Sequence, residues 1–223
     1  MGKVIKYLLD GVDFKDYGIS VSKSKGLVDI PKLKEPNSVE FSGYHGKAVD
    51  LYMPRFQQRE ITLDCFIKAE NGQMAFVQQL SSFAALWTQK RTGNMPAGLH
   101  ELTVMIGTMK PLIYMVYLGE GAAVEKTWND NRMVGTFSLK LIEPEPVKKV
   151  IKFTSTYASL SVTTDFCVNV YWGDGYMDTD ISGNGITVSH SYSTSKEHYA
   201  VITGVIEEAY ITTSNGSLIW DRL

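Results

Sequence analysis

Apolar and polar residues alternate with a period of two through most of this chain, which is the signature of strands with one buried face. Residues 4 to 9 read as a short strand, with a turn at Asp10-Gly11. From Tyr17 to Val21 apolar and small or polar residues alternate, which predicts a second strand. Arg59 to Lys68 predicts a third, with Ile61, Leu63, Cys65 and Ile67 on one face. The period then changes. Phe76, Leu80, Phe83 and Trp87 recur at helical spacing, so a helix is expected over about 73–90. Asn71 is its candidate cap, Gln89, Lys90 and Arg91 sit near its end, and Gly93 is placed to close it.

After the helix the two-residue period returns. Leu99 to Ile106 is a strand, and Leu112 to Leu118 is apolar enough for burial on both faces. Val134 to Ile142 is another, with Val134, Phe137, Leu139 and Leu141 turned inward. The run Glu143-Pro-Glu-Pro146 stops regular pairing, because proline lacks the ladder donor, and a domain boundary is expected there. Beyond it come segments at 149–154, 160–162, 167–172, 185–192, 199–206 and 209–212, with 217–220 able to pair with one of them. Residues 22–58 fit neither period. Lysines, three prolines and Ser42-Gly-Tyr-His-Gly-Lys47 read as a long polar loop or extended β-arm, and long loops tend to be functional. The expected class is mainly β. A first domain, 1–146, carries one packed helix and the arm, and a second, 147–223, is a β-sandwich.

Composition narrows the function more than the fold. In 223 residues, 44% are hydrophobic and 21% charged, enough to bury a core in one large or two modest domains. A net charge of -2 gives no basic patch for sequence-specific nucleic-acid binding. Cys65 and Cys167 are far apart and have no zinc-ligand spacing. Both lie in apolar runs and read as buried free thiols. No stretch has the length of a membrane span, and the N-terminus lacks the pattern of a signal peptide. No paired-carboxylate, HExxH, GxSxG or Cys/His signature appears, so neither an enzyme nor a resident cofactor is expected.

The most specific pattern is Val168-Asn-Val-Tyr-Trp172-Gly173-Asp174-Gly175, followed by His190-Ser-Tyr192 and Tyr199-Ala-Val201. The glycines permit a tight reversal, and the aspartate can accept backbone N–H bonds within it. His190 and Tyr192 share a strand face, from which a polar tip can reach the turn while its ring packs. Trp172, Gly173, Asp174, Gly175, His190, Tyr192 and Tyr199 resemble the PKD-type immunoglobulin-like fold over about 148–223. The chain departs from that pattern in lacking a Phe before Gly-Asp-Gly, and in having Glu197-His198 where a glycine usually precedes the tyrosine.

The first domain has its own resemblance. Tyr7-Leu-Leu-Asp-Gly-Val-Asp-Phe14, then Tyr17-Gly18-Ile19, a Lys-rich loop, Arg59-Glu-Ile-Thr-Leu-Asp-Cys-Phe66, a Phe/Trp helix and Phe137-Ser-Leu-Lys-Leu141 follow the order of phage distal tail proteins. The similarity covers about 1–145. It implies a structural protein of the virion, a homo-oligomeric and commonly hexameric ring between tail tube and tail tip, through which DNA passes unread. The alternative is a carbohydrate-binding or adhesive module for a host-surface glycan, carried by Tyr171, Tyr176, Tyr192 and Tyr199. Asp174, Asp178 and Asp180 could in principle gather calcium, but a solvated turn explains them, and no metal ligand is expected. His190 reads as a packed, hydrogen-bonded histidine rather than a general base, and His45 and His100 stand alone in the sequence. Lys23, Lys25, Lys32, Lys34 and Lys47 line a DNA channel, bind an acidic partner surface, or belong to a solvated loop.

Overall fold

The computed structural model describes residues 5–90, 92–128 and 133–222. Its chain is mainly β, with two large sheets and one packed α-helix. The first part runs β1 (Ile5–Leu9), β2 (Val12–Asp13), β3 (Ile19–Lys25), the short arm strands β4 (Ser38–Val39) and β5 (Ala48–Val49), β6 (Arg59–Ala69) and α1 (Gly72–Leu86). It continues with β7 (His100–Ile106), β8 (Leu112–Glu120), β9 (Glu125–Trp128) and β10 (Met133–Glu143). The order in the first sheet is β2-β1-β7-β8-β10-β6-β3, with β9 on β10. The sheet folds around β8, whose first half pairs with β7 and whose last residues reach β10 across a bulge. Helix α1 lies over this fold and inserts Phe76 and Phe83 into the core, where Phe83 meets Phe14 edge-on at 5.2 Å.

Several expectations needed correction. The helix ends at Leu86, not about 90. Its Asn71 makes no side-chain cap bond, and no basic residue lies in its last turn. Arg91 lies outside the described residues. Phe14–Tyr17 form a 3₁₀ turn closed by Gly18 at φ 70°, so the strand begins at Ile19 and runs on to Lys25. On β10 the inward set is Met133, Gly135, Phe137, Leu139 and Leu141, while Val134 is exposed. β8 is buried on both faces as its apolar run predicts, because Tyr114 and Val116 face the first core while Ile113 and Met115 face the second sheet.

The second part comprises β11 (Lys149–Phe153), β12 (Tyr157–Tyr171), β13 (Met177–Ser191), β14 (His198–Gly204), β15 (Tyr210–Thr213) and β16 (Gly216–Trp220). The segments expected at 160–162 and 167–172 merge into one fifteen-residue strand, β12, and the one expected at 185–192 begins earlier, at Met177, as the equally long β13. Both bend where their register slips near Thr164 and Gly183. The first half of β12 pairs with β15 and the end of β13. Its second half pairs with β14 and the start of β13. One long hairpin therefore supplies both layers of the sandwich. Leu160 and Val162 from one half meet Val168, Val170 and Trp172 from the other.

Cys65 is buried, but Cys167 is exposed, contrary to expectation. It shares a strand face with Asn169, opposite Val168 and Val170. Residues 28–58 form an irregular hairpin, held by β4–β5 and by bonds such as Lys34 N–H to Arg55 O at 2.7 Å and Gln57 N–H to Lys32 O at 2.6 Å. It is less polar than expected, with Val28, Ile30, Tyr44, Leu51 and Tyr52 each at least 70% exposed.

Candidate functional site: the seam around the Gly-Asp-Gly turn

The reversal from β12 into β13 needs glycine twice. Gly173 sits at φ 84° and Gly175 at φ 96°, in the left-handed region that side chains disfavour. Trp172 N–H bonds to Tyr176 O at 2.9 Å, and Tyr176 N–H to the Asp174 carboxylate at 3.3 Å, which closes the turn. His190 comes over it from the far end of β13. Its Nε2 lies 2.7 Å from Asp174 Oδ2, and its ring stacks on Trp172 at 5.2 Å. Tyr192 donates from its hydroxyl to Trp172 O at 3.1 Å and stacks on His198 at 3.7 Å. Burial pushes the Tyr192 phenol well above its ordinary range, with nearby Asp174 and Glu101 adding to the shift.

The structure thus brings Trp172, Gly173, Asp174, Gly175, His190 and Tyr192 into one packed knot. The Tyr199 side chain is not in it and bonds instead to Glu197 at 2.8 Å, but the Tyr199 carbonyl passes so close to Gly173 that a Cβ there would lie 2.7 Å away. Asp178 accepts from Trp172 Nε1 at 2.8 Å, and the Asp180 backbone N–H donates to Asn169 Oδ1 at 3.1 Å. No metal-holding cluster occurs among the described residues. His100, isolated in the sequence, is buried with Nδ1 2.8 Å from Asp10 Oδ2. Of the tyrosines proposed for carbohydrate, Tyr171 and Tyr192 are buried and Tyr199 is half-buried, which leaves only Tyr176 open.

What the sequence did not reveal is what holds the outside of this turn. The segment Gly93-Asn94-Met95, expected to close the helix, lies against it as a strap. Gly93 adopts φ 112°, and a Cβ on it would fall 2.1 Å from Gly175 O. Met95 N–H bonds to Gly175 O at 3.1 Å. Asn94 pairs with the Met177 backbone through two bonds of 2.8 Å. On the other side Glu101 of β7 comes within 3.0 Å of where a Gly173 Cβ would stand. The knot is therefore a joint, clasped by the first sheet. Met95, Ile113 and Met115 pack with Val150, Tyr171 and Val201 to give the joint its own apolar core.

A second tether is ionic. Glu143, at the end of β10, is buried with Arg59 Nε at 3.0 Å, and it also pairs with the buried Lys148 ammonium. Lys148 Nζ sits 4.3 Å from the centre of the Tyr114 ring, and Arg59 donates to Leu27 O at 2.9 Å. Burial drives the Glu143 carboxyl upward, against the pull of Lys148, and lowers Lys148 to about 8 against the pull of Glu143. Between them, Glu145 accepts from Tyr171 at 3.2 Å and from Thr203 at 2.7 Å. Further out, Trp220 Nε1 bonds Pro111 O at 2.8 Å, and Arg55 of the arm meets Glu207 at 3.1 Å. The proline-rich connection is therefore fixed along its length. Nothing marked Lys148 as buried in the sequence, where it reads as one of two surface lysines.

No family model matches the chain, and no curated protein matches it. Among solved structures it is similar to the SPP1 Dit (gp 19.1) protein, described as a paradigm of the hub adsorption apparatus in phages infecting Gram-positive bacteria. The two share 11% identity and superpose with a TM-score of 0.50 over 93% of this chain and 100% of that one. At that identity the likeness is one of fold, and it takes in both sheets: this chain is built on the Dit-like architecture.

Proposed function

We propose that this chain is a structural component of a bacteriophage or prophage tail, a distal-tail or baseplate hub subunit. In this reading the first body, 1–146, closes a homo-oligomeric ring, a hexamer, between tail tube and tail tip. The second body, 147–223, is a PKD-like sandwich carried at the periphery. The fold likeness over nearly the whole of both chains is the observation that carries this reading. The arm supports it. An isolated subunit that exposes Ile30, Tyr44, Leu51 and Tyr52 on a hairpin places apolar surface where a neighbouring copy can cover it.

Sedimentation velocity and negative-stain imaging of the full chain, alone and co-expressed with candidate tail-tube and tail-tip proteins, test the proposal. The expected result is a closed ring in at least one of these states. A monomer in all of them would overturn it. Replacing 30–55 by a short Gly-Ser linker should abolish the ring while leaving far-UV circular dichroism and cooperative unfolding in place.

A further inference from the structure

On the outer face of the second body, three neighbouring strands present a lattice of hydroxyl groups. In β12, Ala158, Leu160 and Val162 are buried, so Tyr157, Ser159, Ser161 and Thr163 point outward. Register carries the same face across the sheet. Ser161 stands opposite Thr187 and Ser159 opposite Ser189 on β13, and on the other side Ser161 stands opposite Thr212 of β15. The spacing is about 6.7 Å along each strand and about 4.8 Å between strands. Both ends are braced by side chains. Asn215 donates to Tyr157 O at 2.7 Å, and Thr163 accepts from Gly185 N–H at 2.9 Å.

Two further properties set this face apart. Residues 157–164, 186–192 and 210–217 contain no Asp, Glu, Lys or Arg, in a chain that is 21% charged. Strands at the margin of a sheet ordinarily carry charge. Exposed tyrosines also bracket the lattice. Tyr157 is 49% exposed and Tyr210 is 71% exposed. Tyr210 is paired with Thr163, six residues along β12 from Tyr157, so the rings stand ~20 Å apart along the strand direction.

We infer that this face binds an extended, uncharged polysaccharide, with sugar rings stacked on Tyr157 and Tyr210 and sugar hydroxyls bonded to the Ser and Thr array between them. A hydroxyl both donates and accepts, so it can match a hydroxyl-bearing polymer in either sense. A face without charge has nothing to hold nucleic acid or an anionic polymer. It also lacks what a protein partner uses, since Ser and Thr seldom dominate protein interfaces and no apolar cluster is present. The inference draws biological sense from the peripheral placement proposed above, but binding does not depend on ring formation.

Native affinity electrophoresis of the full chain through gels containing hydroxyethylcellulose, mixed-linkage β-glucan or galactan tests it. Retardation by at least one polymer is expected, unchanged by added salt. It should weaken about tenfold or more in Tyr157→Ala/Tyr210→Ala, and likewise in Ser161→Lys, which places a charge at the centre of the lattice. Thermal unfolding of both variants reports that they remain folded. Retardation by none of the polymers, equal retardation of folded variants, or loss of retardation in salt would each overturn the inference. So would a change in sedimentation caused by Ser161→Lys, which would make the face a contact between copies. A ring that fails to form while retardation persists would overturn the hub reading alone.

Discussion

Gly93 carries much of the joint. Gly93 combines a left-handed backbone with an approach to Gly175 O that no side chain can occupy. Gly93→Ala should therefore cost about 1–3 kcal/mol in urea unfolding and should loosen the strap as read by hydrogen exchange at Met95 and Met177. Cys65 offers a separate test. Burial, aided by Asp64, raises its thiol from 9.0 to about 12. The unfolded chain therefore releases this proton at lower pH than the folded one. The group's contribution to stability is complete below pH 9 and is lost as pH rises toward 12. The unfolding free-energy difference between the parent and Cys65→Ala should shrink over that window, and a flat difference would contradict the assignment. Parity alone would have resolved two of the misread residues. Cys167 alternates out of phase with Val168, Val170 and Trp172, and Val134 out of phase with Phe137, Leu139 and Leu141. In both cases apolar character was given more weight than position.

At the scale of elements, legibility followed the range of the determining contacts. β6 and the buried face of α1 could be read because each depends on its own periodicity. The C-terminal end of α1 could not, because Gly93 lies against the Gly175 turn instead of closing the helix. The fusion of two expected segments into β12, and the extension of a third into β13, were also invisible, since bulges at Thr164 and Gly183 let polar, turn-forming residues remain within paired strands. Lys148 shows the same limit most clearly. Arg59 and Tyr114 come from β6 and β8, far away in the chain, and Glu143, though only five residues before it, does not by itself mark Lys148 as buried. Removing one member of such a buried set strands the others. Glu143→Gln leaves Arg59 and Lys148 facing each other without their anion and should cost about 3–5 kcal/mol, measured by denaturant unfolding. Lys140→Gln, whose partner Glu120 is also exposed, should leave the unfolding curve essentially unchanged in the same assay.

For the whole molecule, the Trp-Gly-Asp-Gly pattern pointed to the right place for a reason that the sequence could not supply. Its residues do knit the second sandwich internally, but the outer side of the turn is also where the first sheet takes hold, through the Gly93–Met95 strap and Glu101. The buried ionic set, the Glu145 bonds, Trp220 on Pro111 and Arg55 on Glu207 add tethers spread widely over the same boundary. A hinge requires one line about which everything else is free to turn, and attachments so widely separated leave no such line. Torque applied to the second sandwich would pass into the first sheet without being taken up at the boundary, so within the proposed ring each subunit would act as a stiff spoke that reports a pull at its rim directly at the axle.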